Sequence, residues 1–572
     1  MDTKENEKQL TGYPSIDKLW LKYYSKEKIT AKISDESLYD YMVSCNKQHL
    51  DNVAINYFGN KITYRNFIDK INLCANALIK HEVNKGDIVS LCMLATPEVL
   101  ILVYAINLIG AVSNFLILNS TEEEMRKQII RTQSKIIFTS NLAFEKIESA
   151  SKETVVEKIV NIPVSASMPT FMKAMVNLKQ KINNKITWKK FLESGNNKEP
   201  IKSTGKGDDL AVIEYTSGTT GESKGVMLTN QSINYSVLNY KEDGVFEFKC
   251  GKKFLCIVPP FLAFGLITSM LVPLCIGIEL ILIPNPDPEE TGKNIIKYKP
   301  NYFLGGPLHI ENLVSNTQIA EMDLSFLEIV AYGGDKKSGQ WENEISEFLI
   351  AHGVKNELMN GYGLTETGGC FCTTNCKTKL MIPFSHNNIK VCDIDNGNEL
   401  QYGQEGEIYL SGPTLFKGYY KNSDETAGAI LEKNGIRWFK TGDLGVINET
   451  GEIKITGRIK RVLWAADESN VIYRVYPMKI EEVINSLNTV EKCGVVGLYN
   501  DEKGYLPIAF VILRSKELNH KEVEKDIVDI CKNNLSSVHQ PYKIIFLDEL
   551  PITRAGKVDF FKLEELAKKF KL

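Results

Sequence analysis

The chain has 572 residues, 43% hydrophobic and 24% charged, too long for one core and too apolar for disorder, so two or more packed domains are expected. Its 68 basic and 71 acidic residues leave a net charge of −3, which provides no chain-wide positive field and excludes nucleic acid as the main partner. Twelve scattered cysteines and a polar start, MDTKENEKQL, read as a reduced cytoplasmic protein without a secretory leader.

Through the first 150 residues strand and helix signals alternate, as in α/β layering. KITYRNFIDKINLCANALIKH reads as a strand followed by an amphipathic helix, and GDIVSLCML as a buried strand after a glycine turn. Residues 99–118 and 254–284 both reach membrane-spanning length. Asn107, Gly110, Ser113 and Asn114 break up the first, and Pro259, Pro260 and Pro273 the second, so both are expected to be buried core.

Residues 158–191 hold seven lysines and no Asp or Glu. There Phe171, Met175, Leu178 and Ile182 recur at helical spacing, and a surface helix packed on the body is expected. Peripheral contact of this lysine-rich insertion, about 158–193, with anionic lipid is the alternative.

From Leu210 the runs FLCIV, LILIP and EIVAY, separated by Gly and Pro, continue a large mixed α/β body to Gly457. Beyond Arg458, the strand runs CGVVGLY, LPIAFVILR and YKIIFLDEL accompany the helical runs PMKIEEVINSL and HKEVEKDIVDICKN. The expected fold class is therefore α/β, with a large N-terminal multi-layer body of mixed sheets over 1–457 and a small α+β C-terminal domain over 458–572. Cys370, Cys372 and Cys376, with His386, follow no standard zinc spacing and are read as structural thiols.

The sharpest local feature is Tyr215-Thr-Ser-Gly-Thr-Thr-Gly-Glu-Ser-Lys-Gly225, after the apolar AVIEY. Its glycines let backbone N–H groups converge on phosphate oxygens, its hydroxyls add donors and Lys224 adds positive charge, which is the logic of an anion cradle. No G-x4-G-K-[ST] spacing fits it, so it is not a Walker A loop.

With Asn360-Gly-Tyr-Gly-Leu-Thr-Glu366, Trp438-Phe-Lys-Thr-Gly-Asp443, Gly457-Arg458-Ile-Lys460 and Pro551-Ile-Thr-Arg-Ala-Gly-Lys557 following in order, the chain resembles the adenylate-forming superfamily, of acyl-CoA synthetase type. The resemblance implies that Thr216, Ser217, Gly218, Thr219, Thr220, Gly221 and Lys224 cradle phosphates. Tyr362 would stack on adenine, Thr365 contact the α-phosphate, Glu366 bind Mg²⁺, and Asp443 accept both ribose hydroxyls. Arg458 would touch the nucleotide, Lys460 mark a hinge about which the small domain moves, and Lys557 act in adenylation. Gly334, Asp335 and Gly363 fall on the nucleotide side, and Phe261, Leu262, Gly305, Gly306, Tyr332, Gly333 and Gly361 on the acyl pocket.

The implied reaction is attack of a substrate carboxylate on the α-phosphorus of ATP, releasing pyrophosphate, followed by transfer of the acyl group to coenzyme A. Lys557 and Mg²⁺ would offset the meeting of two anions. A medium- or long-chain fatty acid is the expected acid. The rival acceptor is an acyl carrier protein or an amine, and a rival of another class is a non-catalytic nucleotide-binding protein. Three departures bear on these expectations. Ser223 stands where the phosphate loop usually has Pro, Leu262 where many members have a histidine, and the loop 461–477 has no glycine.

Overall fold

The computed structural model describes residues 10–177, 186–195, 201–216, 223–241, 248–284, 287–335, 337–375, 378–467, 471–553 and 557–569. These form four sheets. One of eight strands runs in the order Gly418–Tyr419, Gly225–Thr229, Leu210–Tyr215, Val112–Phe115, Ile88–Cys92, Ile136–Ser140, Lys158–Ile162 and Ile186–Thr187, its last six strands mutually parallel. A second of nine strands has a parallel centre formed by Met359–Leu364, Ile329–Gly333, Tyr302–Gly305, Lys253–Cys256 and Glu279–Leu282. Five antiparallel strands between Asn388 and Arg458 make the third sheet.

Local sequence explains these elements. The helix Tyr64–Lys80 starts where the Thr63 hydroxyl accepts from the Asn66 N–H at 3.3 Å, and it buries Phe67, Ile71, Cys74 and Leu78 at the three-to-four spacing of one helix face. The apolar stretch that reaches membrane length contains the helix Pro97–Leu108, every residue of which is buried. A helix apolar on all sides suits a position packed on every side inside a large protein. Among the described residues, no helix is long and apolar enough to cross a membrane.

The lysine-rich stretch differs from the expected surface helix. Its ends are sheet strands, Lys158–Ile162 and Ile186–Thr187, so it is partly built into the main sheet rather than inserted beside it. Its helix spans Thr170–Asn177, and Phe171 and Met175 are exposed rather than packed on the body, at 75% and 49%. Leu178 and Ile182 lie outside the described residues.

The fourth sheet holds only residues from Leu463 onward, around the long hairpin Val490–Asn500 and Gly504–Leu513. Period-two alternation decides its two faces. Val495, Ala509 and Val511 pack with Ile480, Ile484, Val523 and Ile527 of two helices, while Val496, Ile508 and Phe510 pack with Leu563 and Ala567 of the last helix. Side-chain pairs cross between this lobe and the body: Arg474 to Asp395 at 2.6 Å, Lys479 to Glu405 at 3.0 Å and Gln340 to Asn488 at 2.9 Å.

Candidate active site

Antiparallel register creates the centre of the site. The strands Ile436–Ile447 and Ile453–Arg458 pair so that Asp443 lies opposite Arg458, and the guanidinium Nε meets Asp443 Oδ1 at 2.7 Å. From the nine-stranded sheet, the Tyr362 hydroxyl donates to Asp443 Oδ2 at 2.8 Å. Asp443 is 2% exposed. Burial raises its pKa, while Arg458, the Tyr362 hydroxyl and Lys557 oppose that rise. A carboxylate has about four lone-pair sites, so two acceptor directions remain for a ligand. Sequence expectation gave Tyr362 a stacking role, and the structure adds a bond that fixes its ring by the hydroxyl.

Tyr362 and Glu366 are carried by a sharp reversal. Strand Met359–Leu364 passes into a 3₁₀ turn, Thr365–Thr367, and returns as Gly369–Thr374. A side chain at Gly363 would come within 1.9 Å of the Gly369 carbonyl oxygen, so only glycine fits there. Glu366 is buried, and the Tyr419 hydroxyl donates to its Oε1 at 2.8 Å. Burial pushes the Glu366 carboxyl up, and the Tyr419 bond, Arg458 and Lys224 pull it down.

The edges of the phosphate loop are described: Tyr215 pairs with Gly225, and the Thr216 N–H bonds the Lys224 carbonyl at 3.1 Å. Ser217, Gly218, Thr219, Thr220 and Gly221 lie outside the described residues. Lys224 forms an ion pair with Glu425 and lies 4.9 Å above the Tyr419 ring. Glu425 and Tyr419 were not singled out by sequence reasoning, because GYYKNSDET carries no spacing that marks it.

Lys557 keeps an exposed surface, but its ammonium is crowded, and desolvation followed by Arg458 lowers its pKa against the opposing pull of Asp335 and Asp443. The charges of Asp335, Asp443 and Arg458 therefore act on this ammonium from across the lobe boundary. Lys492 approaches Asp335 at 4.0 Å from the C-terminal lobe. Gly334, before Asp335, has φ +91°, a left-handed backbone that favours glycine. Lys460 is exposed in the short 3₁₀ turn Ile459–Arg461 between the lobes. Beside it, Arg461 pairs with Glu481 and lies 3.5 Å over the Phe560 ring, which ties this turn to the smaller lobe.

On the other side, parallel register aligns strand ends: Gly305 pairs with Tyr332, and Gly333 with Gly361. Carboxyl ends of parallel strands are where α/β sheets place ligands. Phe261 is buried, and Leu262 is half-buried against two apolar clusters. The Tyr332 hydroxyl is committed elsewhere, to Glu342 and to Asn360 Nδ2 at 2.9 Å, so Tyr332 joins this row through its backbone. Two neighbours escaped sequence reasoning. The Phe264 ring lies 3.9 Å, and Cys370 Sγ 3.0 Å, from where side chains on Gly333 and Gly361 would begin. Cys376 lies outside the described residues, and His386 bonds the Ala31 carbonyl at 2.8 Å. Among the described residues no group of three metal-ligating side chains occurs.

A body of mixed sheets, a smaller lobe and a buried carboxylate held by an arginine and a tyrosine define a two-lobed α/β protein with a polar centre suited to a nucleotide. The AMP-binding enzyme family profile matches residues 43–420 and its C-terminal domain profile residues 479–557, and the chain belongs to the AMP-binding enzyme family. It is 27% identical over 524 residues to a long-chain-fatty-acid–CoA ligase of Bacillus subtilis, covering 89% of this chain and 90% of that protein. A Haemophilus influenzae protein of the same name is 26% identical, covering 97% and 100%. In fold, the chain is similar to ATP-bound MatB from Rhodopseudomonas palustris, with TM-score 0.80, 22% identity and coverage of 93% and 99%. It is also similar to the amide bond synthetase McbA from Marinactinospora thermotolerans, with TM-score 0.76, 19% identity and coverage of 92% and 99%.

Proposed function

We propose that the protein is an AMP-forming acyl-CoA ligase acting on a medium- or long-chain fatty acid, with ATP and CoA as co-substrates. The observation that carries this reading is the Asp443–Arg458–Tyr362 cluster, on which the charge of Lys557 acts from the smaller lobe. Asp443 accepts the ribose hydroxyls in its remaining lone-pair directions. Thr365 holds the α-phosphate, and Lys224 leaves Glu425 for the polyphosphate. Lys557 offsets the charge that develops as the substrate carboxylate attacks the α-phosphorus, so no general base is required.

The residues fit a nucleotide-bound Mg²⁺. Glu366 supplies one buried carboxylate, and this ion is commonly held by one or two carboxylates with phosphates and water. When bound, the ion would neutralise charge on the phosphate oxygens. The domain division stays at 457/458, with Lys460 as the hinge of a mobile 458–572 lobe and a cytoplasmic location.

The glycine-free hairpin Leu463–Ala466 and Ile472–Val475 supports a second reading, in which a carrier protein or amine takes the acyl group. Pyrophosphate release across linear fatty, aryl and amino acids, each with and without CoA, tests both. Many turnovers with fatty acids only when CoA is present is the expected result. One turnover that CoA does not relieve favours the second reading, and no release with any acid refutes both.

A further inference from the structure

The geometry points to His309 as a specificity-determining residue that hydrogen-bonds an oxygen on the acyl chain, so that the preferred acids carry a hydroxyl or oxo group in addition to the reacting carboxylate. This inference rests on the ligase reading above and deepens it. His309 lies on the helix Pro307–Val314, which begins directly after Gly305 and Gly306. Side chains on those glycines would begin 3.0 Å from His309 Cβ and 3.7 Å from its Nδ1, so the imidazole borders the glycine turn at the strand ends. Apolar groups adjoin it: Ile257 Cδ1 lies 3.3 Å from the same point on Gly305, and Ile310 and Leu313 are buried on the same helix.

Both ring nitrogens are closed to solvent and neither has a hydrogen-bond partner. The Gly306 carbonyl is nearby but makes no bond of good geometry to the ring. A buried polar group left in this way is costly unless something satisfies it. Desolvation also lowers the pKa of His309, which favours the neutral ring. A neutral imidazole offers one N–H and one lone pair. That pairing matches a hydroxyl, or a carbonyl through the N–H alone, better than it matches a second carboxylate. Leu262 stands where a histidine is expected from the family resemblance, so that position supplies no imidazole.

The test measures kcat and KM for pyrophosphate release with matched alkanoic, hydroxyalkanoic and oxoalkanoic acids of one length, varying the oxygen position, in the full-length protein and in H309L and H309Q. The expected result is a preference of about ten- to a hundred-fold for one oxygenated position. It should be lost in H309L, through KM for that acid, while the plain acid is unaffected or improved. H309Q, which keeps a donor and an acceptor, should retain most of it. A wild-type protein that ignores chain oxygens, or an H309L variant that slows all acids equally or changes nothing, overturns the inference while the ligase reading stands. Failure of the wild type with every acid refutes the ligase reading instead, and the inference with it.

Discussion

The two sides of the candidate site are built on opposite plans. On the nucleotide side, polar groups already bind one another: Tyr362 and Arg458 occupy Asp443, Tyr419 occupies Glu366, and Glu425 occupies Lys224. On the proposed reading, arriving ATP would exchange partners with a network whose geometry is already set, which would lower the ordering cost of binding. On the other side, Gly305, Gly333 and Gly361 line up at strand ends close against His309, Phe264 and Cys370, and the ring nitrogens of His309 are unpartnered. Recognition there depends on shape and a single polar group. Nucleotide-side mutations should therefore alter binding or charge, and acyl-side mutations selectivity.

The largest expected effect is that of Lys557→Ala. Pyrophosphate release should fall about 10²–10³-fold, as for loss of one transition-state donor, while ATP affinity measured by calorimetry changes little. If release persists, the division of labour between the lobes is wrong. Asp443→Ala comes next. Removing a carboxylate that serves the ground state should weaken ATP binding about 10- to 100-fold. An unchanged ATP affinity would break the comparison at its centre.

Much of this contrast was legible in the sequence. The order of Tyr362, Glu366, Asp443, Arg458 and Lys557 marked the nucleotide side, because its chemistry needs particular residue types. Apolar patterning marked several strands, including Ile88–Cys92 and the long C-terminal hairpin. What remained hidden came from tertiary placement. Tyr419 meets Glu366 across 53 residues, and Glu425 meets Lys224 across 201, and neither distance leaves a local periodicity. His309 looks ordinary on its helix, because GGPLHI does not show that both ring nitrogens are buried without a partner. The lysine-rich stretch misled because two of its segments are short strands that pair with each other and with Ile136–Ser140, which the helical spacing of its apolar residues does not show.

The smallest effect should be that of Tyr419→Phe, and it probes how the nucleotide side is tuned. Burial already raises the Glu366 pKa, and the Tyr419 hydroxyl is one of the groups that lower it. Removing that donor favours the protonated acid, so the pKa should rise further. The ionised form is the one that serves a divalent cation, so activity must then be lost at higher pH than in the wild type. The acidic limb of the profile of kcat/KM for ATP should move upward, and the Mg²⁺ concentration for half-activity near neutral pH should increase about three- to ten-fold, the net weight of one ordinary hydrogen bond. Extra Mg²⁺ should restore most of the rate, because the Phe ring still fills the space against Phe416. The acid selectivity governed by the opposite side should stay as it was. An acid limb that stays in place, with a selectivity that shifts, would mean that Tyr419 supports the acyl side and that the two plans are not separate.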